Sequence, residues 1–491
     1  MLFRQIFDEK LAQYAYLVGC QQTGEALLID PERDVDRYIE LAEREELRIV
    51  AVTETHIHAD FLSGARELAE RLDVKLYLSD EGDADWKYEW VKQKKQDGAD
   101  YDYVLLKDGD TFSIGNIEVK AVHTPGHTPE HLSFLITDYG GGADEPMGMI
   151  TGDFVFVGDL GRPDLLESAA GIQGMMEPSA RTLYGSVQGF LQLPDYLQVW
   201  PAHGAGSACG KALGAVPEST VGYERRFNAA IDAAKRGEDV FVEYILEGQP
   251  EPPLYFARMK HDNKLGAKVL GALPQPRRLT AQELGTLAGR LDVAVLDTRI
   301  DRSAFMAGHL PGSLYAPIDK TFNTIAGSYV EEDTPLYLII EPDRVEEAVR
   351  DLVRIGLDDV VGYATPETLA HYHEAGGERA MIPEIGIAEM EALRSRDVTA
   401  VLDVRRLAEY EVACVPEAFN ISHTRLLVRK EELSQDKVWL VHCRTGTRSA
   451  AASALLARFG YDVQYVNGLF EDWVAMGRDA ANSQAVKESV G

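Results

Sequence analysis

Long apolar runs are missing from this 491-residue sequence. Nothing approaches the roughly 20 consecutive apolar residues that a membrane-spanning helix needs, so no membrane partner is expected. The N-terminus, MLFRQIFDEKLAQYAYLVGC, lacks the basic start, apolar block and small-residue cleavage site of a secretory signal, and the cytoplasm is the expected compartment. Basic residues are also in short supply. Lys and Arg number 49 against 80 Asp and Glu, a net charge of −31. Such a surface repels phosphates, which excludes nucleic acid as an expected partner. Cysteine is scarce as well. The four that occur, Cys20, Cys209, Cys414 and Cys443, lie far apart and fit neither a disulfide framework nor a CxxC zinc site. In a reducing compartment each is a packing residue or a nucleophile, and its neighbours must decide which.

What is present is the composition of a folded protein, 45% hydrophobic and 26% charged. The length exceeds what one core serves and points to two to four domains. Residues 26–30, 48–53, 117–123, 132–137 and 196–200 read as buried strands. Each tends to end in a polar cluster, where sites in α/β proteins form. A charged helical stretch follows from about 224, and proline clusters at 250–253 and 274–278 bracket a structured connector. Beyond Arg278 the sequence repeats. VAVLDTR is matched by TAVLDVR, so that Asp297 pairs with Asp403, and PLYLIIEPDR is matched by VWLVHCRTGTRS, so that Glu341 pairs with Cys443. A repeat this long is a duplicated domain, and its strand–helix alternation predicts a small parallel sheet in each copy.

Histidine and aspartate cluster at the predicted strand ends. THIHADFLSG supplies His56, His58 and Asp60; HTPGHTPEH supplies His123, His127 and His131; MITGDF supplies Asp153; WPAHG supplies His203. Neutral imidazoles with a carboxylate suit a divalent transition metal. Spacing alone makes His58 a ligand candidate alongside His56.

These motifs resemble those of the metallo-β-lactamase superfamily, HxHxDH followed by a later His, an Asp and a last His, over residues 1–225. Phe61 stands where the final His of HxHxDH belongs. Phenylalanine cannot ligate, so the resemblance implies a broken second metal site and argues against a two-metal hydrolytic clamp. What remains is similar to the persulfide dioxygenase, or ETHE-type, branch. That branch implies one Fe(II) per chain held by His56, His127 and Asp153, with positions left open for substrate and O2 as co-substrate. His58, Asp60 and His203 then orient or neighbour the ligands. Arg162, in GDLGRPDLL, is expected to be structural or to shape the substrate pocket. Cys209 occupies the position of a cysteine close to the iron in bacterial fusions of this dioxygenase with rhodanese domains, and is expected to take part in catalysis.

In VWLVHCRTGTRSAAASALLARFGY a strand, a loop and a helix follow one another, the helix spanning 449–459. Cys443 therefore precedes a helix N-terminus, where backbone N–H groups, Arg444 and Arg448 would stabilise a thiolate or a bound anion. The loop resembles that of the rhodaneses. Its C-x4-R spacing is one residue shorter than the C-x5-R of tyrosine phosphatases and suits sulfur carried as a Cys443 persulfide. Glu341 replaces the nucleophile in the first repeat, which is expected to be inactive; Cys20 and Cys414 are expected to be packing residues.

The fold expected is an α/β chain: an αββα metallo-β-lactamase sandwich over 1–245, a connector over 246–276, an inactive rhodanese domain over 277–376 and an active one over 382–491. The expected chemistry is oxidation of low-molecular-weight persulfides to sulfite, coupled to thiosulfate formation or use at Cys443. The alternatives are a Zn-dependent thioester hydrolase of the glyoxalase II type fused to a sulfurtransferase, and a sulfur-relay scaffold with a vestigial metal site. A homo-oligomer, dimer or tetramer, is expected.

Overall fold

A computed structural model describes residues 1–168, 174–211, 213–249 and 251–476. The last stretch of the expected active rhodanese domain, 477–491, lies outside the described residues. The chain divides into two compact units, one built on Met1–Ala272 and the other beginning at Leu273. The first unit holds two six-stranded sheets. One runs in the order β1 (Leu2–Asp8), β2 (Gln13–Cys20), β3 (Glu25–Ile29), β4 (Arg48–Thr53), β5 (Lys75–Ser79) and β6 (Tyr103–Leu106). The other contains β7 (Thr111–Ile114), β8 (Ile117–His123), β9 (Leu132–Asp138), β10 (Gly148–Gly152), β11 (Gln198–Pro201) and β12 (Ser219–Thr220) in sequential neighbour order.

The near-continuous apolar run of β2 follows from burial on both faces. Tyr14, Tyr16, Val18 and Cys20 point into the core shared with Val119, Phe134 and Ile136 of the second sheet. Ala15 and Leu17, on the opposite face, join Leu68 and Tyr38, which lie on the helices Ala65–Leu72 and Asp36–Arg44. The outer face of the second sheet packs Met149 and Val199 against Leu183 and Val187 of the helix Met176–Phe190. These layers make an αββα sandwich. β3 and β4 are parallel, and so are β10 and β11, so these strands deliver Asp30, residues 54–60, Asp153 and His203 from their C-terminal ends. β8 is antiparallel to β9 and β9 to β10, which brings the loop after His123 to the same end as Asp153.

The second unit holds two five-stranded, wholly parallel sheets. The first repeat supplies β13 (Arg277–Arg278), β14 (Ala294–Asp297), β15 (Leu314–Tyr315), β16 (Leu336–Ile339) and β17 (Val360–Ala364). The second supplies β18 (Glu384–Ile385), β19 (Thr399–Asp403), β20 (Phe419–Asn420), β21 (Val438–His442) and β22 (Asp462–Val466). Their orders, β13-β17-β16-β14-β15 and β18-β22-β21-β19-β20, are the same order twice. Both copies are consistent with rhodanese-like α/β domains. Arg299 folds back on Asp297 (2.7 Å) and Arg405 on Asp403 (2.6 Å), each also reaching a carbonyl, so the repeated LDxR motif closes the same turn in each copy. No helix of the described residues is long and apolar enough to cross a membrane.

Candidate functional site

His56, His127 and Asp153 come together, their ligand atoms all within 4.8 Å of one another and all three side chains buried. Hydrogen bonds outside the cluster set their tautomers. Thr55 Oγ1 donates to Asp30 Oδ2 at 2.8 Å, so it accepts from Nδ1–H of His56 at 2.9 Å and leaves the His56 Nε2 lone pair free. Nδ1–H of His127 donates to the Arg162 carbonyl at 2.9 Å, and Nδ1–H of His203 donates to the Ala12 carbonyl at 3.1 Å. Burial, as the largest influence, lowers the pKa of all three imidazoles, that of His127 to about 4. All three imidazoles are neutral at physiological pH, with the lone pair on Nε2.

The inward-facing atoms do not satisfy one another. Both Asp153 carboxylate oxygens, Asp60 Oδ2 and His203 Nε2 are buried without a hydrogen-bond partner. His127 Nε2 lies 3.3 Å from Asp153 Oδ2, and His203 Nε2 lies 3.3 Å from Asp153 Oδ1 and 3.2 Å from Asp60 Oδ2. Acceptors facing acceptors in a buried site call for a cation between them. Burial first, and Asp60 next among the raising influences, lifts the Asp153 carboxyl to about 6. The residues fit a divalent metal.

His58 is not aimed at this cluster. Its Nε2 lies 3.1 Å from Asp30 Oδ1 and 3.0 Å from Glu54 Oε2, and the two carboxylates raise its pKa against the effect of burial. Phe61 is fully buried, its ring 4.3 Å from that of His58. His131 is also committed, accepting from the Asp153 backbone N–H at 3.1 Å. Gly152 makes that approach possible. It sits at φ +54°, and a Cβ there would meet His131 Nε2 at 2.6 Å. His123 bonds the Pro129 carbonyl at the edge of the cluster.

Asp60, His203 and Cys209 form a second group whose ligand atoms lie within 4.8 Å of one another. The buried Cys209 thiol stands beside Asp153 and Asp60, and burial followed by those two carboxylates pushes its pKa well up. Arg162 is fully buried and its guanidinium is taken up by Asp164 (2.8 and 2.6 Å) and the Ala208 carbonyl (3.1 Å). Its backbone N–H donates to the Cys209 carbonyl at 3.3 Å, and its own carbonyl orients His127. Arg162 therefore ties the Cys209 segment to the His127 loop rather than offering its charge to a ligand.

Asp30, Glu54, Glu130 and Asn263 also serve the site, though no motif marks them. A carboxylate after a buried strand could have flagged Asp30, and Glu54 stands two residues before His56. Glu130 lies within HTPGHTPEH and accepts from the Ile57 N–H at 2.7 Å. Asn263 gave no signal at all. From the helix Tyr255–Leu265 it donates to the His58 and Phe61 carbonyls (2.8 and 2.7 Å) and accepts from Ser63 N–H (2.8 Å), fixing the whole THIHADF turn.

In the second unit Cys443 is buried at the end of β21, and its sulfur accepts from Gly446 N–H at 3.1 Å. Gly446 has φ +97°, and the helix Thr447–Arg458 starts immediately after it. The two neighbouring arginines do not face the thiol as free charges. Arg448 is paired bidentately with Glu409 (2.5 and 2.9 Å), and the exposed Arg444 with Glu471 (2.7 Å). In the first repeat the matching Glu341 is exposed, ahead of the short helical turn Pro342–Arg344. Cys20 and Cys414 are buried in their respective units.

With an αββα sandwich and a His/Asp centre at its strand ends, the chain belongs to the metallo-β-lactamase superfamily. The superfamily profile matches residues 9–203, and that of the rhodanese-like domain matches residues 387–476. A solved metallo-beta-lactamase from Staphylococcus aureus subsp. aureus COL is 40% identical, with a TM-score of 0.65 over 74% of this chain and 98% of its own. The mitochondrial persulfide dioxygenase ETHE1 of Bos taurus is 28% identical over 208 residues, 41% of this chain and 68% of that protein. A beta-lactamase hydrolase-like protein of Xylella fastidiosa (strain 9a5c) is 27% identical over 307 residues, 58% of this chain and 64% of its own.

Proposed function

We propose that the chain oxidises low-molecular-weight persulfides to sulfite at one Fe(II) held by His56, His127 and Asp153, and transfers sulfane sulfur at Cys443. The observation that carries the first half is the donor set. Two neutral imidazoles and one carboxylate converge, while Asp30 and Glu54 withhold His58 and Phe61 fills the place of a further ligand. Bound there, Fe(II) supplies the activation of O2 and an anchor for the persulfide sulfur. In the overall reaction a persulfide, one O2 and one water give the thiol, sulfite and two protons. The protein's own groups hold the imidazoles of His56 and His127 in their ligating tautomer through Thr55 and the Arg162 carbonyl, and place the Cys209 thiol beside Asp153. The similarity to persulfide dioxygenases supports this reading.

At Cys443 the thiolate accepts sulfane sulfur from thiosulfate, or its persulfide hands sulfur to sulfite and makes thiosulfate. Fusing the two centres in one chain raises the local concentration of a reactive intermediate. The group Asp60, His203 and Cys209 sustains a second reading, a two-metal thioester hydrolase. Metal analysis with oxygen-electrode assays separates the two. One Fe per chain and O2 uptake on a persulfide support the dioxygenase; two Zn and thioester cleavage without O2 uptake would overturn it.

A further inference from the structure

We propose that Arg302, a residue of the first repeat, is the oxyanion-binding residue of the Cys443 centre and holds the sulfonate end of thiosulfate, or sulfite itself, at the thiol. The inference rests on the sulfurtransferase reading and names its anion subsite. Among the described residues, the arginines that flank the Cys443 loop are already paired within the second repeat. Arg448 and Arg444 are paired with Glu409 and Glu471, and Arg405 with Asp403. At the position matching Arg302, 106 residues on as for Asp297 and Asp403, the second repeat has Ala408.

Arg302 reaches the loop directly. Its Nη2 donates to Asn467 Oδ1 at 3.0 Å and its Nη1 approaches Thr447 Oγ1 at 3.4 Å. A Cβ built on Gly446 would lie 3.0 Å from the Arg302 Cζ and 2.8 Å from the Tyr465 hydroxyl. Gly446 is the residue whose N–H faces the Cys443 sulfur. No carboxylate of the described residues lies within ion-pair distance of the Arg302 guanidinium, and most of its five-donor fork is uncommitted. Two buried hydroxyls without hydrogen-bond partners accompany it, Tyr465 and, from the first repeat, Tyr329. Burial, as the largest influence, disfavours ionisation of Tyr329, so its hydroxyl is neutral.

The step these groups would serve is balanced. The Cys443 thiolate attacks the outer sulfur of thiosulfate, and a new S–S bond forms. The bond to the sulfonate sulfur breaks, its electron pair leaves with sulfite, and Cys443 keeps the transferred sulfur as a persulfide. Negative charge gathers on the departing oxygens, where a planar guanidinium stabilises it best. A catalytically silent repeat thereby completes the site of its partner repeat.

The test uses full-length Arg302→Gln and Arg302→Lys with thiosulfate as donor and cyanide as acceptor. The Gln variant is expected to raise KM for thiosulfate about tenfold with a smaller change in kcat, and Lys to restore part of it. A second readout compares alkylation of Cys443 by anionic iodoacetate and neutral iodoacetamide, followed by peptide mass spectrometry. The iodoacetate-to-iodoacetamide rate ratio is expected to fall in Arg302→Gln. Equal loss with both reagents, or an unchanged ratio, overturns the proposal. If the native chain moves no sulfur at Cys443 the sulfurtransferase reading fails, and the alkylation ratio still decides whether Arg302 serves an anion subsite.

Discussion

Replacing Thr55 by Val keeps the shape of the side chain and removes the hydroxyl that links Asp30 to Nδ1 of His56. The His56 ring then loses the partner that holds Nε2 as the lone-pair nitrogen. Thr55→Val is expected to lower iron affinity roughly 10–100-fold, measured by chelator competition, with the fold intact by circular dichroism. Cys209→Ser addresses a different role. It is expected to retain iron and lose most persulfide-dependent O2 uptake, because Cys209 lies in the group beside Asp153 rather than among the proposed ligands. Loss of iron in that variant would move Cys209 into the coordination set. Most of the metal-site residues were legible as motifs, since each follows a strand within a few residues. The fate of His58 was not, because its position in HxH matches that of His56 and only its partners Asp30 and Glu54 distinguish them.

Secondary-structure elements that carry no ligand hold the site in place. The helix Tyr255–Leu265 lies in a stretch that sequence reading treats as a connector, yet it belongs to the first compact unit and clamps the THIHADF turn through Asn263. Asn263→Ala leaves two carbonyls and one N–H without partners and is expected to cost about 1–3 kcal/mol in denaturant unfolding of the first unit. Nothing in local sequence pairs residue 263 with residue 58, because the contact is made across 205 positions by tertiary packing alone. The doubled sheet was easier to read, since period and spacing repeat and each copy buries the same strand pattern. In the second copy Glu409 illustrates what pattern reading leaves out. Burial opposes its charge, but the bidentate contact with Arg448 outweighs it and pushes the carboxyl down to about 2. A depressed carboxylate stabilises the fold above its unfolded pKa, about 4.3. That contribution fades as pH falls from about 4.5 toward 2, and Glu409→Gln should flatten this part of the acid-unfolding curve of the second unit.

Over the whole molecule, two chemistries in one chain are expected to be separable by single substitutions. Cys443→Ser is expected to leave O2 uptake intact and to abolish sulfur exchange between thiosulfate and sulfite; sulfite accumulating in place of thiosulfate would set thiosulfate formation as the direction of the Cys443 step. His127→Ala is expected to abolish O2-dependent sulfite production from a persulfide without thiosulfate present; if that production persists, the first unit is a scaffold and not an oxygenase. The most direct measurement is metal content together with O2 consumption on the same preparation of full-length protein. One Fe per chain and one O2 consumed per persulfide sulfur oxidised are the expected result. Two Zn per chain, with no O2 uptake and with thioester cleavage, would contradict it.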